Sequence, residues 1–219
     1  MKKLIFLLIF ISGYCYAQQP VFNFEANKAY KIQIQGISNA AEADNIARSA
    51  EKMQMSIFSF VDHLTGYGFF IVDNFYKVHE IEKLINNKGK YLCEGSEEIV
   101  LSEDKFLEIY MMRGGFKYPE FSINIPKEIV MGPYKELTYS LFSKAISIWK
   151  KAYSKTYNQS VGFPEHYPIF INTGNSEDNI KTDQEKQSWM INYPDEYEQL
   201  ARKSTEGAKV LENQKEIEK

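Results

Sequence analysis

The chain has 219 residues, of which 44% are hydrophobic and 25% charged, with 26 basic against 29 acidic side chains and a formal charge of −3. That is ordinary globular composition with length for one or two domains, and it excludes a collagen-like or low-complexity chain. The mild acidity argues against nucleic acid or an anionic membrane surface as the main partner.

Met1–Ala17 has the pattern of a secretory signal peptide. Lys2 and Lys3 supply the positive start, Leu4–Ile11 the apolar stretch, and Cys15 and Ala17 the small positions before a cut between Ala17 and Gln18. A lipoprotein cut before Cys15 is the alternative, disfavoured by the bulk of Tyr14. The apolar run is too short to span a bilayer and no second run follows. The expectation is an exported chain, periplasmic or secreted, with no transmembrane segment after cleavage. Cleavage takes two of the 26 basic residues and leaves 24 against 29 acidic ones, a formal charge of −5. It also leaves Cys93 as the sole cysteine, so no intramolecular disulfide is expected; it reads either as a buried small hydrophobe, which a place in a short strand favours, or as a thiol free to pair with another molecule.

Residues 18–28 form a polar lead-in carrying Phe22 and Phe24. The organising stretch is 29–98. In Ala29–Gly36, Tyr30, Ile32 and Ile34 alternate with Lys31, Gln33 and Gln35, the period-2 signature of a half-buried strand. Asn39 with Glu42 three residues later is a capping pattern, and Ala43, Ile46, Ala47, Ala50 and Met53 then recur at helical spacing. Ile57–Leu64 and Gly68–Asp73 are two strands joined by a Gly-containing turn. Val78, Ile81, Leu84 and Ile85 mark a second helix, closed by Lys88 and Gly89. Lys90–Cys93 reads as a short final strand. The order βαββαβ in about 70 residues predicts an α+β, ferredoxin-like module.

Order, length and loop positions resemble the heavy-metal-associated (HMA) domain of metallochaperones and metal-transport ATPases. That family carries G-M-x-C-x-x-C between its first strand and first helix. The same place here reads Gly36-Ile37-Ser38-Asn39-Ala40-Ala41-Glu42, so Asn39 and Glu42 stand where the two thiols would be. The resemblance implies the fold and not the family's soft-metal chemistry, because an amide and a carboxylate do not select Cu(I).

Beyond the module, Gly95–Leu101 reads as a charged link. A helix is predicted from Glu103 to Arg113, capped by Ser102, with a stripe of Phe106, Leu107, Tyr110 and Met111. Phe121–Ile125 alternates like a short strand. Within a helical extension over 99–160, the longest helix is expected from Tyr134 to Tyr153, with Leu137, Leu141, Ala145, Ile148, Trp149 and Ala152 on one stripe. Residues 161–202 read as a loop and helical clasp, pinned by Phe163, Tyr167, Phe170, Trp189 and Tyr197. Asn175 or Ser176 would cap one helix there, and another would run from Pro194 to Leu200. The cadence Tyr167-Pro168 to Asn175, a polar helix and Trp189 to Tyr197 resembles a closing segment of small exported bacterial proteins. Residues 203–219 are charged and expected to be frayed helix or a disordered tail.

Chemical signatures are sparse. His63, His79 and His166 belong to no HExxH or Cys/His pattern and read as surface histidines. No GxSxG, phosphate loop or calcium loop is present. No catalytic residue, metal site or cofactor is expected. The candidate binding residues are Asn39, Glu42 and Trp149. The reading is a non-catalytic binding or interaction module of the cell envelope, with a protein or peptide partner. The alternative is a metal-handling protein using non-thiolate ligands such as Asn39, Glu42 and a histidine.

Overall fold

A computed structural model describes residues 20–86, 89–116, 126–169 and 176–217, with side chains omitted over 176–179 and 207–217. The expected signal peptide, the Lys88 helix end, the Phe121–Ile125 strand, Phe170 in the clasp and Asn175 as a cap fall outside these residues.

The fold is α+β. A four-stranded antiparallel sheet is built from β1 (Asn27–Gln35), β2 (Phe58–Val61), β3 (Tyr67–Asp73) and β4 (Leu92–Val100), in the order β2-β3-β1-β4. Helix α1 (Ala40–Lys52) follows β1 and α2 (Val78–Asn86) follows β3. α3 (Glu103–Arg113), α4 (Lys135–Ala152), α5 (Ser154–Val161), α6 (Ser176–Asn192) and α7 (Pro194–Ile217) complete the described α-helices, and a 3-10 turn at Phe24–Ala26 precedes β1.

The chain divides into two compact units. The first takes in the sheet, α1 to α3 and residues 128–143; the second takes in 115–127 and 144–219, so α4 spans the division.

Alternation along β1 decides the core of the first unit. Tyr30, Ile32 and Ile34 face α1 and α2 with Phe70 and Val72 of β3, and meet Ala43, Ile46, Ala47, Ala50, Ile81 and Ile85. The alanine row brings α1 close to the strands, as its narrow stripe implies. Ala29 and Ile71, both fully buried, lie on the opposite face. There Phe58 stacks on Tyr110 at 5.9 Å, while Phe22 packs edge-on against Phe106 at 5.4 Å and Tyr134 at 5.2 Å. The lead-in therefore lies over the core. At Gly68 a Cβ would stand 2.6 Å from the Phe70 ring and 2.9 Å from Ile34 Cδ1, which is why β3 carries glycine in its first turn of pairing.

An ionic knot ties β2 to the helices on both sides. Glu51 Oε1 accepts from Ser59 N at 2.8 Å and from Arg113 Nη1 at 2.7 Å, and Oε2 accepts from Arg48 Nη1. Arg48 Nη2 also donates to Ser59 O at 2.9 Å, and the Arg113 guanidinium lies 4.3 Å over the Phe58 ring.

Two segments differ from expectation. β4 runs nine residues through the stretch read as a charged link, pairing Lys28↔Val100 to Gln35↔Leu92 with a bulge opposite Gln33/Ile34. It is an edge strand, mostly exposed, so backbone pairing defines it without an apolar alternation. The helix from Pro194 continues to Ile217 instead of ending near Leu200, and takes in much of the segment expected as frayed helix or disorder. Its propensity comes from Glu, Lys, Gln and Ala rather than from an apolar stripe.

Candidate functional site

The front loop between β1 and α1 is organised as a helix cap. Asn39, in extended conformation, accepts from Glu42 N through Oδ1 at 3.0 Å, and Glu42 Oε2 accepts from Ser38 N at 2.9 Å. This reciprocal pair satisfies two free helix donors. Lys90 Nζ completes it, donating to Glu42 Oε1 at 2.9 Å with its charge 4.8 Å from the Tyr91 ring. The hydrogen bonds from Lys90 and then Ser38 hold the Glu42 carboxyl below its ordinary range. Tyr91 and Glu42 together push the Lys90 ammonium up to about 12. Both site residues read at this loop are thus occupied by structural hydrogen bonds.

Beside the cap lies a groove of about 390 Å³ between α1 and α2. Ile46 and Ile85 form its buried floor, with Leu84 packed beside them; Met53 is 60% exposed at one end, and Asn45, Ser49 and Lys90 supply its polar side. The sequence reading gave Met53 to the apolar stripe of α1, yet the helix ends at Lys52 and releases it. Ser49 Oγ is turned back onto Asn45 O at 2.7 Å.

Trp149, the third residue read as a binding candidate, is packed rather than presented. It is 1% exposed, edge-on to Tyr157 at 6.2 Å and tilted against Tyr153 at 6.4 Å. Leu141 and Ala145 on the same stripe are fully buried, whereas Ile148 is turned outward.

The second unit holds a site that sequence reasoning missed. His166, read as a surface histidine and exposed in the structure, places Nδ1 2.6 Å from Glu196 Oε1, and its backbone N donates to Glu196 Oε2 at 3.2 Å. Trp189 Nε1 donates to the same Oε2 at 3.3 Å. These hydrogen bonds outweigh the burial that pushes the Glu196 carboxyl up, and hold it below the ordinary range. The imidazole lies flat on Tyr193, with centroids 4.0 Å apart and planes 5° from parallel. Asn158, fully buried in α5, donates through Nδ2 at 2.9 Å to both Glu165 O and Tyr167 O, clamping the chain on either side of His166. Aromatic contacts run from Phe163 to Tyr167, Trp189 and Tyr197. His166 lines a cavity of about 530 Å³ together with residues of α4, α5 and α6. The signals were two Pro-started turns, Pro164-Glu165-His166 and Pro194-Asp195-Glu196, but 30 residues separate the partners and no local pattern joins them.

His63 and His79 are exposed at the turn after β2 and the start of α2. Among the described residues, no three His, Cys, Asp or Glu side chains are grouped to hold a metal ion. Compared with family models, with curated proteins and with solved structures, the chain matches none.

Proposed function

We propose that the protein is an exported, non-catalytic binding module of the cell envelope, built on an HMA-like, ferredoxin-like scaffold whose thiol pair is replaced by a helix cap. The scaffold assignment is supported by the βαββαβ order and by a sheet that reads β4-β1-β3-β2 from its far edge. The observation that carries the binding role is the groove between α1 and α2, where Met53 and Leu84 border an apolar floor beside Asn45 and Lys90. A concave surface with an apolar base and a few polar groups suits a protein or peptide side chain better than it suits bond-breaking chemistry. Metal handling through Asn39 and Glu42 finds no such support, since either ligand would have to surrender the Ser38 or Glu42 amide it now accepts.

A photocrosslinking residue at Met53, in cells exporting the protein, tests this directly. A discrete adduct is expected from position 53 and not from Leu64, which is exposed and does not line the groove. Equal labelling from both positions, or none from either, removes the groove as the contact surface.

A further inference from the structure

The two edges of the sheet are finished in opposite ways. At β2, side chains of the ionic knot stand where a neighbouring strand would: Ser59 N donates to Glu51 Oε1, and Ser59 O accepts from Arg48 and Arg113. That edge is also only four residues long and mostly buried. β4 has neither protection. It runs nine residues without a proline, and all of them except Cys93 and Ile99 are exposed. Its bulge falls at Glu94, which has no residue opposite it, and Gly95–Val100 keep unbroken register with β1 from Gln33 to Lys28. A Cβ added at Gly95 would meet nothing within 4 Å. Among the described residues no strand lies beyond β4, so every other residue of this run offers its N–H and C=O as a template for one more strand.

The charges along β4 decide which strand that is. Directly opposite residues of an antiparallel pair share a face, so Glu97 lies beside Lys31 and Glu98 beside Tyr30. Glu98 has its cation, with Lys28 Nζ at 3.1 Å. Glu97 has none among the described residues: Lys31 is turned the other way, 4.4 Å over the Tyr67 ring. Glu94, at the bulge, is likewise without an ion pair among them. A second copy would set the same carboxylates against these and is a poor occupant, whereas a strand carrying cations would complete them. We propose that the outer edge of β4 binds an extended, lysine- or arginine-bearing segment of a partner protein as an additional strand. Backbone hydrogen bonds hold the segment, and Glu94 and Glu97 select its charge. This surface is separate from the groove between α1 and α2, and it recognises a strand by its backbone where the groove takes up side chains.

The test is a nuclear magnetic resonance titration of the full exported chain with the end-blocked peptide Thr-Lys-Val-Lys-Val-Lys-Thr at constant ionic strength. Saturable amide shifts are expected at Gly95–Val100, together with slower hydrogen exchange of the outward amides in that run. The same peptide N-methylated throughout keeps its charge and loses its N–H donors, and is expected not to bind. The counterpart with glutamate in place of lysine is expected not to bind either. Loss of one exposed ion pair changes affinity by roughly two- to fivefold, so Glu97→Gln is expected to weaken the lysine peptide by that factor. Glu94→Lys combined with Glu97→Lys is expected to exchange the preference, releasing the lysine peptide and admitting the glutamate one. Both side chains are exposed, so the thermal midpoint should stay where it is. Equal binding of the N-methylated peptide, equal binding of the lysine and glutamate peptides, shifts confined to the groove between α1 and α2, or no saturable shift at all overturns the site. A failed crosslink from Met53 would leave this result untouched, because Met53 is no part of β4.

Discussion

Asn39 and Glu42 show how one pair of residues supports opposite readings until geometry is known. At the two positions where the resembling family carries thiols, their spacing also fits a helix cap, and the side chains make the capping hydrogen bonds. Asn39→Ala should lower stability by about 1 kcal/mol in urea unfolding, equally with and without added Zn²⁺. A loss that appears only with metal present would reinstate a ligand role. The pH dependence follows from Glu42. Its folded-state pKa lies below the ordinary value of 4.5, so the stabilisation is in place above that value and disappears as pH falls through the lowered one. Unfolding midpoints of the native chain and Glu42→Gln should therefore converge in acid. Cys93 behaves in the contrary sense. Burial, with the Glu82 charge, pushes its thiol up to about 11, so at neutral pH it is neither nucleophile nor soft ligand. Iodoacetamide should label it at least tenfold more slowly in the folded than in the urea-unfolded chain at pH 8.

Elements were legible in proportion to how far their pattern depends on burial. α1, α2 and β1 bury one face each, so Ala43-Ile46-Ala47-Ala50 and Tyr30-Ile32-Ile34 declared them. β4 buries almost nothing, and Glu94, Glu97 and Glu98 disguised it as a link. α7 declared only its Pro194 start, because it has no apolar stripe to count. The candidate sites were less legible. The cap at Asn39 was readable because it is local. The His166–Glu196 pair and the Glu51 knot were not, because each joins residues from separate elements. Glu51 sits at the junction of α1, β2 and α3, holding Arg48, Arg113 and the Ser59 amide. Glu51→Ala leaves two guanidinium groups side by side without their carboxylate and should cost about 2–3 kcal/mol by urea unfolding. A loss below about 0.5 kcal/mol would mean the knot is no stronger than a surface pair.

For the molecule as a whole, the proposed partner-facing groove belongs to the first unit, beside its sheet. Export belongs at this scale too. Mass spectrometry of the protein recovered from the envelope fraction should find a chain beginning at Gln18. A chain that keeps Met1 and stays in the cytoplasm would withdraw the envelope from the proposed function. The outer edge of β4 has a consequence of its own. Among the described residues its outward amides and carbonyls have no neighbouring strand, and three glutamates along nine residues keep other copies away by repulsion. Replacing Glu94, Glu97 and Glu98 with glutamine should raise light scattering at neutral pH in solutions where the native chain stays clear, which makes these side chains solubility determinants.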